Sequence, residues 1–517
     1  MAYTLKVKRF LYFINAFILL VFVLDVQAQT FSKRYDWFGQ LEGETGFSCE
    51  PSENGYIITR VGDQIGTSLW RVGFLEINEE GDLLWENEFA DSTASLTLGR
   101  AGSADFKSGV GYVECGTYNY LGPGMDAWLI RFNEQGDTLW TRRYGATDKQ
   151  YLARQVVITN DGGYAMVGYT DDFSTANTNL FCSFLLKYDS NGDFQWIKKY
   201  EGDLAKMKGN SIDQSPEGLF VLSSSIDPLG NGSVDSNHLL ILTDENGNEQ
   251  WRHEYGDLEA DGSSWVKFLE NGDILLTGEI SRVTSMVAGY LYYNRINTSE
   301  GTSIWDYSFT SVSGTVRNLF SSLELEDGGL VSTGVIERPD PTWSFPVHYA
   351  AITKLTAEGD SLWLHRYAWD EGAGVGGWIR DLKRASDGGF VCSGSVYWSE
   401  DHPSSDVWVL KLDEYGCLIP GCQVGVIEHE SQLGFNTYPN PASDVLSVYV
   451  ETNLNMKGHF SLTDLNGRIV FQGSAVLLSP EMPTTYMYQV AHLARGMYVL
   501  SFESEEGAVL SKKVLLQ

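Results

Sequence analysis

Short apolar runs bounded by glycine-containing turns cover most of this chain. In one example, the runs 155–158 and 164–168 flank the turn 160–163, whose glycines supply the positive φ angles of a tight hairpin. Equivalent turns follow the same kind of run elsewhere, at 54–55, 108–109, 217–218, 271–272, 327–329 and 387–389. The pattern therefore predicts seven copies of one β-hairpin.

A second hairpin follows the first in each copy and is built on the turn Gly-Asp-x-x-Trp. This turn begins at Gly81, Gly136, Gly192 and Gly359, with degenerate copies at Gly247 and Gly301, and the successive steps are 55, 56, 55, 54 and 58 residues. A Tyr or Phe stands four positions after each Trp, on the same face of the strand, so both rings should pack in one layer between sheets. Two hairpins make a four-stranded unit, and repetition of this unit predicts a β-propeller.

The two ends of the repeat region predict how the propeller closes. The last copy contains the strand 407–412 and then diverts at Gly416, while the segment 31–35 resembles the outer strand 141–144. We predict that 31–37 is the outermost strand of the last blade, which closes a seven-bladed ring and removes exposed sheet edges. The propeller would then occupy residues 29–422.

These repeats resemble those of large secreted propeller proteins of the Bacteroidetes, and more loosely the blades of Kelch proteins. The resemblance covers residues 31 to about 416. It implies an architecture and no particular function.

The N-terminal segment has the composition of a secretory signal peptide. Basic residues at 6, 8 and 9 precede an apolar run over 10–24, and small residues before Gln29 suggest cleavage after Ala28. An uncleaved membrane anchor is the alternative, but a span needs about 20 apolar residues. We expect residues 1–28 to be removed, which leaves no stable membrane span.

Cys417 and Cys422 flank a Pro-Gly turn at the end of the repeats. In an exported chain this spacing predicts a small disulfide loop; two free thiols or half of a metal site are the alternatives. A polar linker, 423–434, separates the loop from a second β-rich module at 435–517.

Four motifs characterise the C-terminal module. They are Tyr438-Pro439-Asn440-Pro441, the turn from Asp464 to Gly467 and Arg468, the strand start with Gly496 and Tyr498, and the terminal pair Lys512 and Lys513. The module resembles the type A C-terminal sorting domain of the type IX (Por) secretion system, an immunoglobulin-like β-sandwich. The resemblance implies the secretion machinery as a partner and a secreted or cell-surface destination. An immunoglobulin-like binding module of the same size is the alternative.

Composition and motifs narrow the classes of function. The net charge of −32 disfavours binding to nucleic acid and to anionic membranes. Neither a Gly-x-Ser-x-Gly motif nor a Walker loop nor a His-x-x-x-His pair occurs, and the sequence predicts no catalytic residue, cofactor or metal site. The Gly-x-x-x-Trp turn is similar to the tryptophan motif of quinoprotein dehydrogenases, but the vicinal cysteines common in those enzymes do not occur.

We therefore expect a ligand-binding site where the sequences of the copies differ, in the connections between second and third strands. These connections are predicted at 119–126, 171–179, 227–237, 338–348 and 397–405; Trp343 and Trp398 offer aromatic rings there, and Asp171 and Asp172 could bind a cation weakly. The sequence favours a non-catalytic module that binds a glycan or a protein. The alternative is an extracellular polysaccharide hydrolase or lyase, which would need acidic side chains with raised pKa at one channel mouth.

Overall fold

The structure is a computed structural model in which every regular element of the described residues is a β-strand. Within these residues, no helix is long and apolar enough to cross a membrane. The described residues are 29–36, 43–63, 69–100, 102–120, 122–172, 181–202, 206–227, 237–256, 264–281, 289–309, 315–338, 347–369, 376–399, 402–419, 433–438, 441–452, 456–464, 468–473, 476–478, 484–504 and 509–517.

The first half of the repeat region forms three antiparallel sheets after an initial strand, β1 (Phe31–Tyr35). Sheet 1 contains β2 (Glu44–Pro51), β3 (Gly55–Asp63), β4 (Trp70–Asn78) and β5 (Leu83–Phe89). Sheet 2 contains β6 (Ala94–Leu98), β7 (Ala104–Lys107), β8 (Gly111–Tyr120), β9 (Met125–Phe132) and β10 (Thr138–Tyr144). Sheet 3 contains β11 (Tyr151–Ile158), β12 (Tyr164–Thr170), β13 (Cys182–Tyr188) and β14 (Phe194–Tyr200).

The second half forms four further sheets of the same kind. Sheet 4 contains β15 (Lys206–Gln214), β16 (Phe220–Asp227), β17 (Asn237–Thr243) and β18 (Glu249–Tyr255), and sheet 5 contains β19 (Trp265–Phe268), β20 (Ile274–Ser281), β21 (Gly289–Ile296) and β22 (Ser303–Phe309). Sheet 6 contains β23 (Thr315–Glu324), β24 (Leu330–Arg338), β25 (Val347–Leu355) and β26 (Ser361–Tyr367). Sheet 7 contains β27 (Gly376–Arg384), β28 (Phe390–Ser399) and β29 (His402–Leu412), and β1 pairs antiparallel with β29 as its fourth strand.

The repeat region is thus an all-β array of antiparallel sheets consistent with propeller blades. In sheets 1 to 6 the strands follow chain order, so the first strand lies at one edge and the fourth at the other. In sheet 7 the strands β27, β28 and β29 follow chain order, and β1, the earliest strand of the chain, lies at the edge as the fourth. Sheet 2 differs because its first strand is split into β6 and β7, which both pair with β8. In sheets 1, 3, 4, 6 and 7 the first strand shifts register against the second, as a β-bulge does.

Apolar packing joins each sheet to the next. Every buried cluster of this region combines side chains of neighbouring sheets, which is how a sheet with two apolar faces is covered. One cluster brings Val391 and Val409 of sheet 7 together with Ile58 and Leu75 of sheet 1. The last sheet therefore packs against the first.

Hydrogen bonds between first strands connect the sheets in the same order. The backbone N–H of Cys49 in sheet 1 donates to Asp381 of sheet 7 at 3.1 Å, and the N–H of Ile158 in sheet 3 donates to Asp105 of sheet 2 at 2.7 Å. Equivalent backbone N–H bonds run from Ala104 to Ser48, from Ile212 to Gln155 and from Phe268 to Asp213. These first-strand side chains thereby satisfy backbone groups that burial would otherwise leave without a partner. Sheet 6 is joined to sheet 5 by the exposed N–H of Glu270, which donates to Glu324, and to sheet 7 by the hydroxyl of Ser321, which donates to the carboxylate of Asp381.

The C-terminal module has two sheets that share one core. The strands are β30 (Leu433–Tyr438), β31 (Val445–Thr452), β32 (Met456–Asp464), β33 (Ile469–Gln472), β34 (Val476–Leu478), β35 (Thr484–Gln489), β36 (Gly496–Ser504) and β37 (Val509–Leu516). One sheet has the order β30–β31–β35 and the other β33–β32–β36–β37, with β34 also paired to β32. Phe435 and Leu446 of the first sheet and Phe460 and Leu500 of the second lie in the same buried cluster.

Candidate ligand-binding site

Two aromatic residues were expected in ligand-binding connections. Trp343 lies outside the described residues. Trp398 belongs to β28, which pairs with β29 as far as Ser399 and His402, so its assignment to a loop was wrong. The physical reason is that the run from Val396 to Trp398 is β-branched and aromatic, which favours an extended strand over a loop.

The acidic pair Asp171 and Asp172 lies directly after β12, where the connection of sheet 3 begins. Asp171 accepts a hydrogen bond from the N–H of Gln150 at 2.8 Å. Asp172 accepts hydrogen bonds from the hydroxyl of Tyr151 and from Lys199 Nζ, the latter at 2.5 Å, and these bonds lower the pKa of its carboxyl. The charge of Asp172 is therefore neutralised within sheet 3, which leaves little of it for a cation.

The histidines of the repeats have structural surroundings. His253 and His365 lie on the fourth strands of sheets 4 and 6 and pack against Trp251 and Trp363 of the same strands. His238 is buried and stacks on a tyrosine of sheet 5, and burial lowers its pKa to about 4. In the part of the chain that the structure describes, no group of three His, Cys, Asp or Glu side chains could hold a metal ion.

The cysteines divide into two groups. Cys49, Cys115, Cys182 and Cys392 are free and buried. Cys417 is disulfide-bonded, and its predicted partner, Cys422, lies outside the described residues.

A cavity of about 140 Å³ lies among the first strands of the sheets. Its lining comes from residues in or beside the first strands of sheets 2 to 7, so these strands converge on it. Asp105, Asp213 and Asp381 line it together with Lys267 and Lys383. Burial raises the pKa of Asp105 and Asp213, and each also accepts a backbone hydrogen bond from the next sheet.

Four cations lie beside this cavity, and we call them the mouth cluster: Arg100, Arg154, Lys208 and Arg380. Arg154 and Arg380 occupy the bulges of β11 and β27, and Arg100 lies between β6 and β7. The first strands begin at one end of the sheets. The cations of the mouth cluster lie nearer to this end than the residues that line the cavity do. The connections between second and third strands lie at that same end, because adjacent strands are antiparallel.

Contacts of the mouth cluster cross from sheet to sheet. Arg100 Nη1 donates to Asn210 Oδ1 of sheet 4 at 3.0 Å, and its backbone N–H donates to the carbonyl of Arg154 at 2.6 Å. The ring of Tyr169 lies 5.1 Å from the Arg154 guanidinium and 5.8 Å from Lys208 Nζ. Burial and the positive charges of Arg154 and Arg380 lower the pKa of Arg100.

The mouth cluster lies inside strands and beside them, whereas the binding residues were all expected in loops. Arg154 and Arg380 each stand eight positions before the turn glycine of their first hairpin, Gly162 and Gly388. The same position is Phe47 in sheet 1, Asn210 in sheet 4 and Phe320 in sheet 6. Alignment of the copies on this glycine would have revealed a variable position inside a strand.

The motif residues of the C-terminal module fall into a turn and the strands. Asp464 Oδ1 accepts from the N–H of Arg468 at 3.0 Å, which closes the turn, and the hydroxyl of Tyr498 donates to the carbonyl of Ala494 at 2.7 Å. Tyr438 and Gly496 lie in β30 and β36, Lys512 and Lys513 lie in β37, and Pro441 follows β30. Pro439, Asn440 and Gly467 lie outside the described residues.

Several solved structures are similar to this chain. A protein of unknown function from Dyadobacter fermentans has a TM-score of 0.42 at 10% identity, and the match covers 74% of this chain and 99% of that chain. The β-propeller domain of the Trilobed protease from Pyrococcus furiosus has a TM-score of 0.37 at 9% identity, covering 70% and 95%. An endo-arabinase from Bacteroides thetaiotaomicron has a TM-score of 0.32 at 10% identity, covering 50% and 91%.

A search of curated proteins found no match to the chain. The family described as "Secretion system C-terminal sorting domain" matches residues 436–517. The match spans all four motifs and the strands that carry them. Residues 436–517 are therefore a type IX (Por) secretion C-terminal sorting domain, and the chain is exported to the cell surface or outside the cell.

Proposed function

We propose that residues 29–422 form a closed seven-bladed propeller that binds a glycan or protein ligand without turning it over. The interlocking of sheet 7 with sheet 1 supports closure, since apolar packing and hydrogen bonds both join them. The same proposal assigns residues 1–28 to a signal peptide, 423–434 to a linker and the exported C-terminal module to an immunoglobulin-like sandwich.

One observation carries the binding function. The second strands end, and the third strands begin, at the end of the sheets that is nearer the mouth cluster. A rigid scaffold that gathers variable segments around one opening is a common design for recognition. Trp343 and Trp398, together with Asp171 and Asp172, remain our candidates for residues at the rim of this surface.

The test is a glycan array and a polysaccharide-degradation screen run side by side on the purified exported protein. We expect binding to at least one glycan class without release of soluble sugar. Trp343→Ala and Trp398→Ala should each weaken that binding, whereas Trp363→Ala, on the fourth strand of sheet 6, should not if the protein stays folded. Release of sugar would contradict the proposal, and silence in both assays would restrict it to a protein ligand.

A polysaccharide-cleaving enzyme is the second candidate, and the raised pKa of Asp105 and Asp213 favours it. A protonated carboxyl beside an ionised one is the arrangement that glycoside hydrolysis uses. However, both groups accept backbone hydrogen bonds, and the cavity of about 140 Å³ is smaller than most ligand sites, which occupy roughly 300–1,000 Å³. Sugar release that Asp105→Asn and Asp213→Asn abolish in a folded protein would establish this candidate.

Processing at both ends belongs to the proposal. We expect cleavage between Ala28 and Gln29 during export and removal of the sorting domain at the outer membrane. Intact-mass measurement of the protein from culture medium and from the cell surface would test both sites. A surface form that retains residues 436–517 would contradict removal.

A further inference from the structure

The mouth cluster concentrates positive charge in a strongly acidic protein. The net charge of the chain is −32, and other buried cations of the repeats have acidic partners, such as Lys187 with Asp161 and Lys411 with Glu79. In the described part of the chain, by contrast, Arg100, Arg154 and Lys208 form no ion pair with a carboxylate.

Neutral groups hold these cations in place. Arg100 donates to Asn210, whose Nδ2 donates in turn to Ser225 at 2.9 Å, and Arg154 Nη2 donates to the hydroxyl of Tyr169 at 3.0 Å. Such contacts fix the direction of a guanidinium without cancelling its charge. Because like charges repel at this range, the cluster does not stabilise the fold by itself.

The side chains remain reachable and have free hydrogen-bonding capacity. Arg100 and Arg154 are half-buried and Lys208 is exposed. Each guanidinium has five N–H donors, and the described contacts use one side-chain donor of Arg100 and one of Arg154. Arg154 Nε is buried, and the other unused donors suit the paired oxygens of a carboxylate or a sulfate.

Aromatic rings surround Arg380, the fourth cation of the cluster. The Arg380 guanidinium lies 4.8 Å from the ring of Phe47, 5.7 Å from Phe320 and 5.3 Å from Trp378. The rings come from sheets 1, 6 and 7, and such cation–π contacts hold the guanidinium without cancelling its charge.

We propose that the mouth cluster binds a carboxylate or sulfate group of an acidic saccharide. The inference rests on the proposed binding function and names its ligand class. The acidic group would stay at the cluster, because Asp105, Asp213 and Asp381 line the cavity beyond it.

The test is calorimetric titration of the full exported protein with four probes: oligogalacturonate, chondroitin sulfate, neutral dextran and polyglutamate. We expect binding to at least one of the two acidic saccharides and at least tenfold weaker binding to dextran and to polyglutamate. Arg154→Gln should weaken binding to the acidic saccharide at least tenfold. The affinity of Arg154→Lys should lie between those of Arg154→Gln and the unchanged protein. Arg142→Gln is the matched control, because Arg142 lies on the outermost strand of sheet 2.

Folding is checked on each variant by thermal denaturation. Because repulsion is relieved, we expect Arg100→Gln to unfold no earlier than the unchanged protein and also to lose affinity at least tenfold. Dextran bound as well as the acidic saccharides, or full affinity of folded Arg100→Gln and Arg154→Gln, would overturn the inference and leave the binding function intact. If polyglutamate binds more tightly than both acidic saccharides, the inferred saccharide ligand would be wrong and an acidic peptide would take its place. Failure to bind any glycan or protein would overturn the binding function itself.

Discussion

At the scale of single residues, the turn glycine of each second hairpin meets two separate constraints. Its φ is positive, +78° at Gly192 for example, and a Cβ there would come within 2.9 Å of the Trp140 ring of the preceding sheet. The same relation joins Gly136 to Trp85 and Gly359 to Trp305. The repeated Gly and Trp are thus the two halves of one contact between neighbouring sheets.

The two constraints on the glycine can be separated by a pair of substitutions. Gly272 has a φ of +86° but nothing within 4 Å of its missing Cβ, so Gly272→Ala should cost only the backbone strain, about 1–2 kcal/mol. Gly192→Ala adds the clash with Trp140 and should cost about 2–4 kcal/mol of unfolding free energy. Urea denaturation of both variants measures this, and equal costs would contradict the contact.

A buried carboxyl in sheet 2 should make stability depend on pH. Burial raises the pKa of Glu114 from 4.5 to about 8, so the folded state holds a proton that the unfolded state releases. Stability from this group is present below pH 4.5 and is lost as pH rises toward 8. The melting temperature of Glu114→Gln should therefore rise relative to the unchanged protein between pH 5 and 8, and a constant difference would contradict the shift.

At the scale of elements, β1 makes the contacts that the fourth strands of sheets 3, 4 and 6 make. Phe31 packs on Gly81 of sheet 1, as Trp85 packs on Gly136, and the hydroxyl of Tyr35 donates to the carbonyl of Gly81 at 2.6 Å. Tyr200, Tyr255 and Tyr367 make the equivalent bond to the glycine of the next sheet. The N-terminal strand therefore supplies the same contact as its counterparts near the middle of the chain.

Removal of this contact should weaken the whole repeat region. The double variant Phe31→Ala, Tyr35→Ala loses two half-buried rings and should cost about 2–4 kcal/mol of unfolding free energy. Lys33→Ala is the control on the same strand, because its ion pair with Asp82 is exposed and should contribute less than about 1 kcal/mol. If the double variant and Lys33→Ala unfold at comparable urea midpoints, the proposed stabilising contact of β1 with sheet 1 would be contradicted.

The residues that recur in each copy made the sheets predictable from the sequence. The residues that differ between copies did not predict the mouth cluster. Gly136 and Trp140 recur with their copies because each sheet needs the same turn and contact, so a single sequence displays the strand order. The position of Arg154 is not repeated in the same way, since it carries Arg, Phe or Asn in different copies. Nothing local marks Arg100 either, because it meets Asn210 only when sheets 2 and 4 share one axis.

At the scale of the whole molecule, the repeat region and the sorting domain for export are separate parts of the chain. Among the described residues, the sorting domain has its own core, and each core of the seven sheets is made from the sheets themselves. A net charge of −32 spread over this surface favours solubility outside the cell. The positive charge of the mouth cluster is a local exception to this acidic surface, and it could attract acidic ligands.

Native-state hydrogen exchange tests ring closure most directly. If β1 is the fourth strand of sheet 7 in a closed propeller, the amides of β1 that pair with β29 should be protected as strongly as those of β10 and β14, and should exchange only through global unfolding. Fast exchange of β1 beside protected β10 and β14 would contradict closure of the ring.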